Sequence, residues 1–464
     1  MLKTKITMIE ITGKAAGTVK IFTDNIEDGA VEDVQHIADL PPYNGCQMRY
    51  MPDVHRGKNG NCIGFSSTLD VINGYVSPAA VGCDIGCTVS ITFFDKPMPE
   101  DKIAIFEHRI KKEIPLGMNI NNGVSYDKKG LMHHINSELD RLIAVYPHLA
   151  PYVPERFTDD RDIGEWLMKF KMEDKKFWRS IPSVGGGNHY VEYDVNEEDG
   201  KYGVCVHCGS RNLGQRVFQY WDDIASHKRI PKAIQKKITE EVKSKNTDKT
   251  KLKEKIGAAL SAYMSSTPDG FVHGEDMYRY LVDVIITQAY ASFNHKIIHN
   301  VITDIYAKLS GAKPIDFIST THNYIDYDLK VLDEVPHPMV RKGAIRSYSG
   351  ERMIIPFNMR DGIAICEGKS NPDWNWTAPH GAGRCLSRTQ AFEKLKVDDF
   401  KKEMLDAGIY TTTADSSTLD EAPEAYKPKD EIVKLIEPTA NILFFMKPKM
   451  NIKSAEKPIF SRKR

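Results

Sequence analysis

The sequence carries no net charge: 63 lysines and arginines face 63 aspartates and glutamates in 464 residues. A broad basic surface is therefore not indicated, although a local basic cleft stays allowed, because an electrostatic footprint depends on clustering. No apolar run approaches the roughly 18 residues a membrane helix needs. The opening Met1-Leu2-Lys3-Thr4-Lys5 lacks a signal-peptide core. The expected location is the cytoplasm, with no membrane partner. Eight cysteines are too few for a disulfide scaffold, and several sit in Gly-rich or His-adjacent contexts, where metal binding is the better reading. There is no internal repeat and no Gly-Lys-Ser/Thr of a Walker A loop. The hydrophobic share of 41% and charged share of 27% are ordinary for a globular chain and exclude a disordered or collagenous one. Length allows about three domains, or one large domain with insertions.

Glycines, histidines and acids gather in four β-rich blocks separated by helical stretches. Thr18–Thr23 alternates like a strand, and Val31–Leu40 has helical spacing. Residues 46–95 are short β-branched runs broken by glycines, which suggests tight turns. Residues 99–172 read as mostly helical, and 181–217 return to strands and Gly-rich turns. Residues 230–257 are lysine-dense, which reads as a solvated helix or insertion, with nucleic-acid contact as the alternative. Residues 275–310 carry a long helix, with Tyr278, Leu281, Ile285, Ala289, Phe293 and Ile297 near its period and Gly311 as its stop. Residues 315–390 are strand and loop, and short helices follow. The expected architecture is α+β: one domain over 1–464, a compact core of stacked β-sheets, a peripheral helical insertion over about 215–312, and a basic tail at 454–464.

Four blocks carry the chemistry. Val81-Gly-Cys-Asp84-Ile-Gly-Cys87 follows Met51-Pro-Asp53-Val-His. A buried carboxylate wants a cation or donors, and Asp84 with Cys87 suits zinc or manganese; a turn-capping Asp and a structural cysteine are the plain alternative. Ser183-Val-Gly-Gly-Gly-Asn188-His189-Tyr-Val-Glu192 leaves amides free to cradle an anion. Cys205-Val-His207-Cys208-Gly-Ser-Arg211 offers a histidine and a phosphate clamp. Its CxxC also admits a redox pair, or a zinc site shared with Cys83 and Cys87. The last block holds His322, Lys342 and His380-Gly-Ala-Gly-Arg384, with Arg388 beyond. A histidine with flexible flanks beside arginines could attack a phosphoryl group. Together, Asp84, Cys87, His189, His207 and His322 suffice for two metal ions if the thiolate bridges, and Arg211, Lys342, Arg384 and Arg388 supply charge for phosphates. That arrangement suits phosphoryl or nucleotidyl transfer.

Seven motifs, in order, resemble the RtcB family of GTP- and manganese-dependent RNA ligases: Met-Pro-Asp-Val-His, Val-Gly-Cys-Asp-Ile-Gly-Cys, Gly-Gly-Gly-Asn-His, His-Cys-Gly-Ser-Arg-Asn-Leu-Gly, His-Asn-Tyr, Arg-Lys-Gly-Ala and His-Gly-Ala-Gly-Arg-x-x-Ser-Arg. The resemblance spans residues 46 to 453. It implies joining of a 2′,3′-cyclic phosphate or 3′-phosphate RNA end to a 5′-hydroxyl end, in RNA repair or tRNA splicing, through a guanylylated His380. It implies one manganese on Asp84 and His189, another on His207 and His322, and Cys87 bridging them, with zinc as the alternative ion. It also implies that Asn188, Glu192, Asn358, Gly381, Ala382, Gly383 and Lys453 hold the nucleotide. Asp53 becomes an active-site acid, and Arg211, Lys342, Arg384 and Arg388 face phosphate or the RNA end. A monomer is the default, and whether an archease-like activator takes part is left open by the sequence.

The sequence departs from the pattern at Ile355-Pro-Phe-Asn358-Met-Arg360, where Asn358 replaces a serine and Phe357 and Arg360 add bulk, and at Cys83, where valine is usual. A paralogue with altered nucleotide or RNA-end preference, a two-metal phosphoesterase and a non-catalytic RNA-binding protein are the rival readings.

Overall fold

The computed structural model describes residues 8–57, 61–245, 251–327 and 338–454. The basic tail beyond Ser454 and the opening pentapeptide lie outside the described residues. In chain order the strands are β1 (Ile9–Gly13), β2 (Gly17–Ile21), β3 (Met48–His55), β4 (Ile63–Thr68), β5 (Tyr75–Val76), β6 (Thr88–Phe94), β7 (Tyr190–Asn196), β8 (Lys201–Cys208), β9 (Val272–His273), β10 (Pro314–Thr321), β11 (Asn323–Asp326), β12 (Met339–Lys342), β13 (Ala344–Arg346), β14 (Arg352–Pro356), β15 (Ile363–Gly368), β16 (Thr377–Pro379) and β17 (Ala440–Lys453).

Two sheets position the site. One runs β1-β2-β3-β4-β12-β11, with β2 and β3 parallel. The other runs β10-β6-β8-β7-β17-β15-β14 and is antiparallel throughout. Its end strands meet: the Ile354 amide of β14 donates to Thr320 Oγ1 of β10 at 3.0 Å. The sheet therefore curls on itself around a core that includes Val89, Ile91, Tyr190, Cys205, Ile318 and Ile354. Side chains alternate across a strand. The opposite face carries Val191, Tyr193, Val204 and Val206, packed with Phe106 and Ile110 of helix Ile103–Glu113 and with Ile298, Ile302 and Tyr306 of the long helix.

The long helix spans Gly274–Ser310 and ends at Gly311, which sits in the left-handed region at φ 64°. It is not peripheral. Its residues from Asp276 to Tyr306 are largely buried against both sheets and neighbouring helices. The stretch expected as one peripheral insertion is thus of mixed character. Helix Arg211–Ala225 and the long helix are packed into the core, and only the hairpin of helices Lys232–Lys245 and Leu252–Ser265 lies outside it. Strand β17, absent from the reading of the tail as short helices, is also central.

Candidate active site

The two sheets are joined by a single residue, His322, between β10 and β11. The other motif residues converge on that junction because register places them there. Thr88 of β6 pairs with Cys208 and Thr321, while Tyr190 of β7 pairs with His207 and with Lys453. Cys87 and His189, one residue outside their strands, arrive at the same end of the curled sheet.

Here five side chains aim lone pairs at one another. His189 Nε2 lies 2.7 Å from Asp84 Oδ2 and 3.3 Å from Cys87 Sγ. His207 Nε2 lies 3.1 Å from the same sulfur and 3.2 Å from His322 Nε2. The ring tautomers follow from the outer partners. His189 Nδ1–H donates to the Val184 carbonyl at 2.9 Å, and His207 Nδ1–H donates to the Asn188 carbonyl at 3.0 Å, which leaves both Nε2 atoms bare. Gly209 makes the approach of Asp84 feasible, since a Cβ there would meet Asp84 Oδ1 at 2.3 Å.

Burial works to raise the Asp84 carboxyl, but His189, Cys87 and His322 together outweigh it and hold it at about 2. Burial, reinforced by Asp84, pushes the Cys87 thiol well above its ordinary range. Burial and adjacent imidazoles push His207 and His322 well below theirs. A carboxylate, a sulfur and three imidazoles, with almost no donors among them, fit a divalent cation of borderline softness. The ligand atoms of Cys87, His189 and His207 lie within 4.8 Å of one another.

His380 stands beside this cluster, its ring centroid 4.9 Å from that of His322. Fully buried Asp53, on β3, orients it: Oδ2 accepts His380 Nδ1–H at 2.5 Å and the His380 backbone N–H at 3.0 Å. Nε2 is thereby the ring nitrogen left with a lone pair. Gly383, at φ 75°, lets the loop close over Asp53, whose carbonyl oxygen a Cβ would meet at 2.5 Å.

A second cluster centres on Glu421, which is fully buried. Its Oε1 accepts from Arg388 at 2.6 Å and Arg384 at 3.3 Å, and its Oε2 accepts from Tyr426 at 2.6 Å and Lys453 at 3.0 Å. Arg388 also pairs with Asp420. Burial pushes the Glu421 carboxyl up, yet Lys453, Arg388 and Arg384 outweigh it and hold it well below the ordinary range. Lys453 lies over the Tyr190 ring at 5.2 Å, and Tyr190 lies 5.5 Å from the His207 ring, so the two clusters adjoin.

The remaining expected residues occupy varied positions. Asn188 is exposed beside its two histidines. Glu192 is buried, bonded to Asn451, and shares its strand face with buried Asp194. Arg211, at φ 57°, is tied to Ser183 Oγ at 3.0 Å and to the Gly117 carbonyl. Lys342 donates to the Asn61 carbonyl at 3.0 Å, and burial lowers it to about 8 despite the pull of Cys83 and Cys62. Asn358 caps a local turn and bonds Asp361 at 2.8 Å, while Arg360 pairs with Asp361 and Glu403. Phe357 and Ala382 share a buried cluster, so this segment packs under the loop of Gly381, Ala382 and Gly383.

Cys205 and Cys208 fall on opposite faces of β8, against Tyr190 and His295 respectively, and all eight cysteines are free. The redox pair and four-cysteine site therefore do not form. Asp420, Glu421, Tyr426 and Lys427 are additions that no spacing in the sequence announced; Lys427 Nζ donates to the Pro52 carbonyl beside Asp53.

No helix among the described residues is long and apolar enough to cross a membrane. The chain is similar to RNA-splicing ligase RtcB1 of Escherichia coli strain ATCC 25922, 26% identical over 454 residues that cover 94% of this chain and 97% of that protein. It is also similar to tRNA-splicing ligase RtcB of Archaeoglobus fulgidus, 26% identical over 460 residues that cover 89% and 88%. The RNA-splicing ligase RtcB of Escherichia coli strain K12 is 25% identical over 94% of this chain and 97% of its own. The family described as tRNA-splicing ligase RtcB matches residues 33–454, and with nearly the whole chain inside that match this protein belongs to the RtcB family.

Proposed function

We propose that this protein is an RNA ligase that joins a 2′,3′-cyclic phosphate or 3′-phosphate RNA end to a 5′-hydroxyl end, using GTP and two manganese ions. The observation that carries the reading is His380, locked by Asp53 with Nε2 available, beside a cluster of unsatisfied metal-ligand atoms. One ion would be held by Asp84, Cys87 and His189, and the other by Cys87, His207 and His322. Such ions supply charge neutralisation at phosphoryl oxygens.

The chain's own groups do the rest. His380 Nε2 attacks the α-phosphorus of GTP; a P–N bond forms as the P–O bond to pyrophosphate breaks. The Asp53 carboxylate holds the Nδ1 proton and stabilises the positive charge that develops on the ring. An oxygen of the RNA 3′-phosphate then takes the guanylyl group, restoring the free imidazole. The 5′-hydroxyl attacks the activated 3′-phosphorus, loses its proton, and expels GMP. A cyclic phosphate is first hydrolysed to the 3′-phosphate. Arg384, Arg388 and Lys453 would receive phosphate or guanine oxygens, exchanging their Glu421 contacts for the ligand, and Asn188 and Glu192 would hold the guanylate.

The test is incubation with α-labelled GTP and manganese, followed by a denaturing gel. Label should stay on the parent chain and vanish in His380→Ala. Asp53→Asn should cut the labelling rate by roughly 10²–10⁴-fold, since it loses the tautomer and the charge together. Absence of label with any of the four nucleotides, despite bound metal, would overturn the ligase reading in favour of a phosphoesterase.

A further inference from the structure

The hairpin of helices Lys232–Lys245 and Leu252–Ser265 plays no part in the chemistry above. In a chain of zero net charge, residues 228–255 hold eleven lysines and arginines against four acids. The helices pack on each other. They are anchored at their base, where Ile234 is buried, Tyr263 bonds Asp276, and Lys237 reaches Glu275 at 3.2 Å. Glu240 and Glu241 are used within the hairpin, by Lys236 at 3.9 Å and Lys245 at 2.6 Å. Lys232, Lys243 and Lys253 are exposed and make no ion pair with a described residue. At about 100° per residue, Lys232, Lys236 and Lys243 fall within about 40° of one another, a single row about 16 Å long.

A row of like charges on a thinly anchored element is unfavourable unless a polyanion faces it. Three observations select the polyanion. No large apolar side chain between 228 and 265 is exposed among the described residues, so the hairpin lacks the hydrophobic face that an interfacial membrane helix needs. The lysines form a line rather than a pocket, which matches a phosphate backbone. The hairpin is tethered at Asp276, and the same helix reaches the Gly209 loop through Asn294. Eighteen residues of helix place the tether about 27 Å from the metal-ligand cluster. A nucleic acid whose end sits in the site would therefore reach the hairpin with a segment far from that end.

We propose that the lysine row of this hairpin binds the phosphate backbone of a duplex stem of the RNA substrate, remote from the ends being joined. This rests on the RNA-ligase reading. It predicts a substrate with structure beyond its termini, since a short single strand would not span the distance.

The test compares the full chain with a Lys232→Glu/Lys236→Glu/Lys243→Glu variant and its Lys→Arg counterpart. Binding is measured over a salt series to a stem-loop RNA of about 16 base pairs and to a short single-stranded oligonucleotide. The glutamate variant should lose about 10-fold or more in affinity for the stem-loop, and its log–log salt slope should fall by about two to three. Oligonucleotide binding and His380 labelling should stay unchanged, and the arginine variant should match the parent. Equal affinity and slope on the stem-loop would overturn the proposal. Unchanged stem-loop binding with lost binding to anionic phospholipid vesicles would overturn it in favour of a membrane surface. If the parent binds the stem-loop through these lysines yet never labels His380, the ligase reading fails and the hairpin assignment stands.

Discussion

Two adjoining clusters of buried polar side chains solve the cost of burial in opposite ways. Around Glu421 the carboxylate already has its complement: it receives two arginines, a lysine and a tyrosine. Around Cys87 a carboxylate, a sulfur and three imidazole nitrogens converge, and two of the imidazoles, His189 and His207, turn their Nδ1–H outward to a backbone carbonyl. The first region is complete as folded, and a ligand must displace an internal partner to use its cations. The second is incomplete as folded, and a cation is what completes it. In the proposed reaction, a site so built would read an anionic substrate by exchange and hold metal by need.

The contrast breaks most sharply at Glu421. Glu421→Gln takes the carboxylate from buried Lys453 and half-buried Arg384 and leaves Arg388 with Asp420 alone, and should cost about 3–5 kcal/mol in chemical denaturation. The penalty has a pH sign. Because the folded carboxyl is held below its unfolded value, its contribution is present above the ordinary carboxylate range and is lost as pH falls through that range toward the folded value. The parent should therefore lose its advantage over the variant in acid. If the variant is as stable as the parent at neutral pH, the cluster is not internally complete.

Removing a partner from the other cluster should behave differently. Without metal, Cys87→Ser should change stability little, because a hydroxyl of similar shape replaces the thiol and keeps a donor and acceptors at that point. With manganese at about 100 times its dissociation constant, the parent should gain about 2.7 kcal/mol. The variant should lose most of that gain in a thermal melt. A parent chain indifferent to every divalent ion would refute the distinction.

A smaller version lies just inside the curled sheet. Glu192 and Asp194 share one face of β7, and neither Asp194 oxygen has a donor from another side chain or the backbone. Burial pushes Glu192 up to about 7 and Asp194 well above its usual value, with the two carboxyls reinforcing each other on Asp194. Raised values mean that stability is full below the unfolded carboxylate range and falls as pH rises toward 7 and beyond. Asp194→Asn should therefore be close to neutral at pH 4 and stabilising by about 1–2 kcal/mol at pH 8. A pH-independent difference would show that no proton is shared there.

These differences also explain what could be read in the sequence. Asp84, Cys87, His189, His207, His322 and His380 stood out as metal-ligating or nucleophilic types in Gly-rich motifs, and Gly209 and Gly185 leave Asp84 and His189 room where a Cβ would collide. The long helix was legible because its apolar period is regular and Gly311 ends it. Its burial was not, because periodicity marks one face and cannot say how many neighbours cover the others. Asp420 and Glu421 were hidden, since two acids in a Pro- and Ala-rich stretch look like surface until three cations 32 to 37 residues away fold onto them. Strand β17 was masked by Pro448, which argues against a central strand; the ladder accommodates it by a register shift between Pro448 and Met450.

That strand has a consequence for how the molecule is made. The last described strand in the chain lies between β7 and β15, whose residues precede it by some 250 and 80 positions. The curled sheet cannot close until residues 440–453 have entered it. Such long-range closure is slow, and exposes strand edges in the meantime. Lys453, which pairs with Glu421 and lies over the Tyr190 ring, joins its neighbours only at that last step. A growing chain therefore lacks that cation beside Glu421 until the sheet closes.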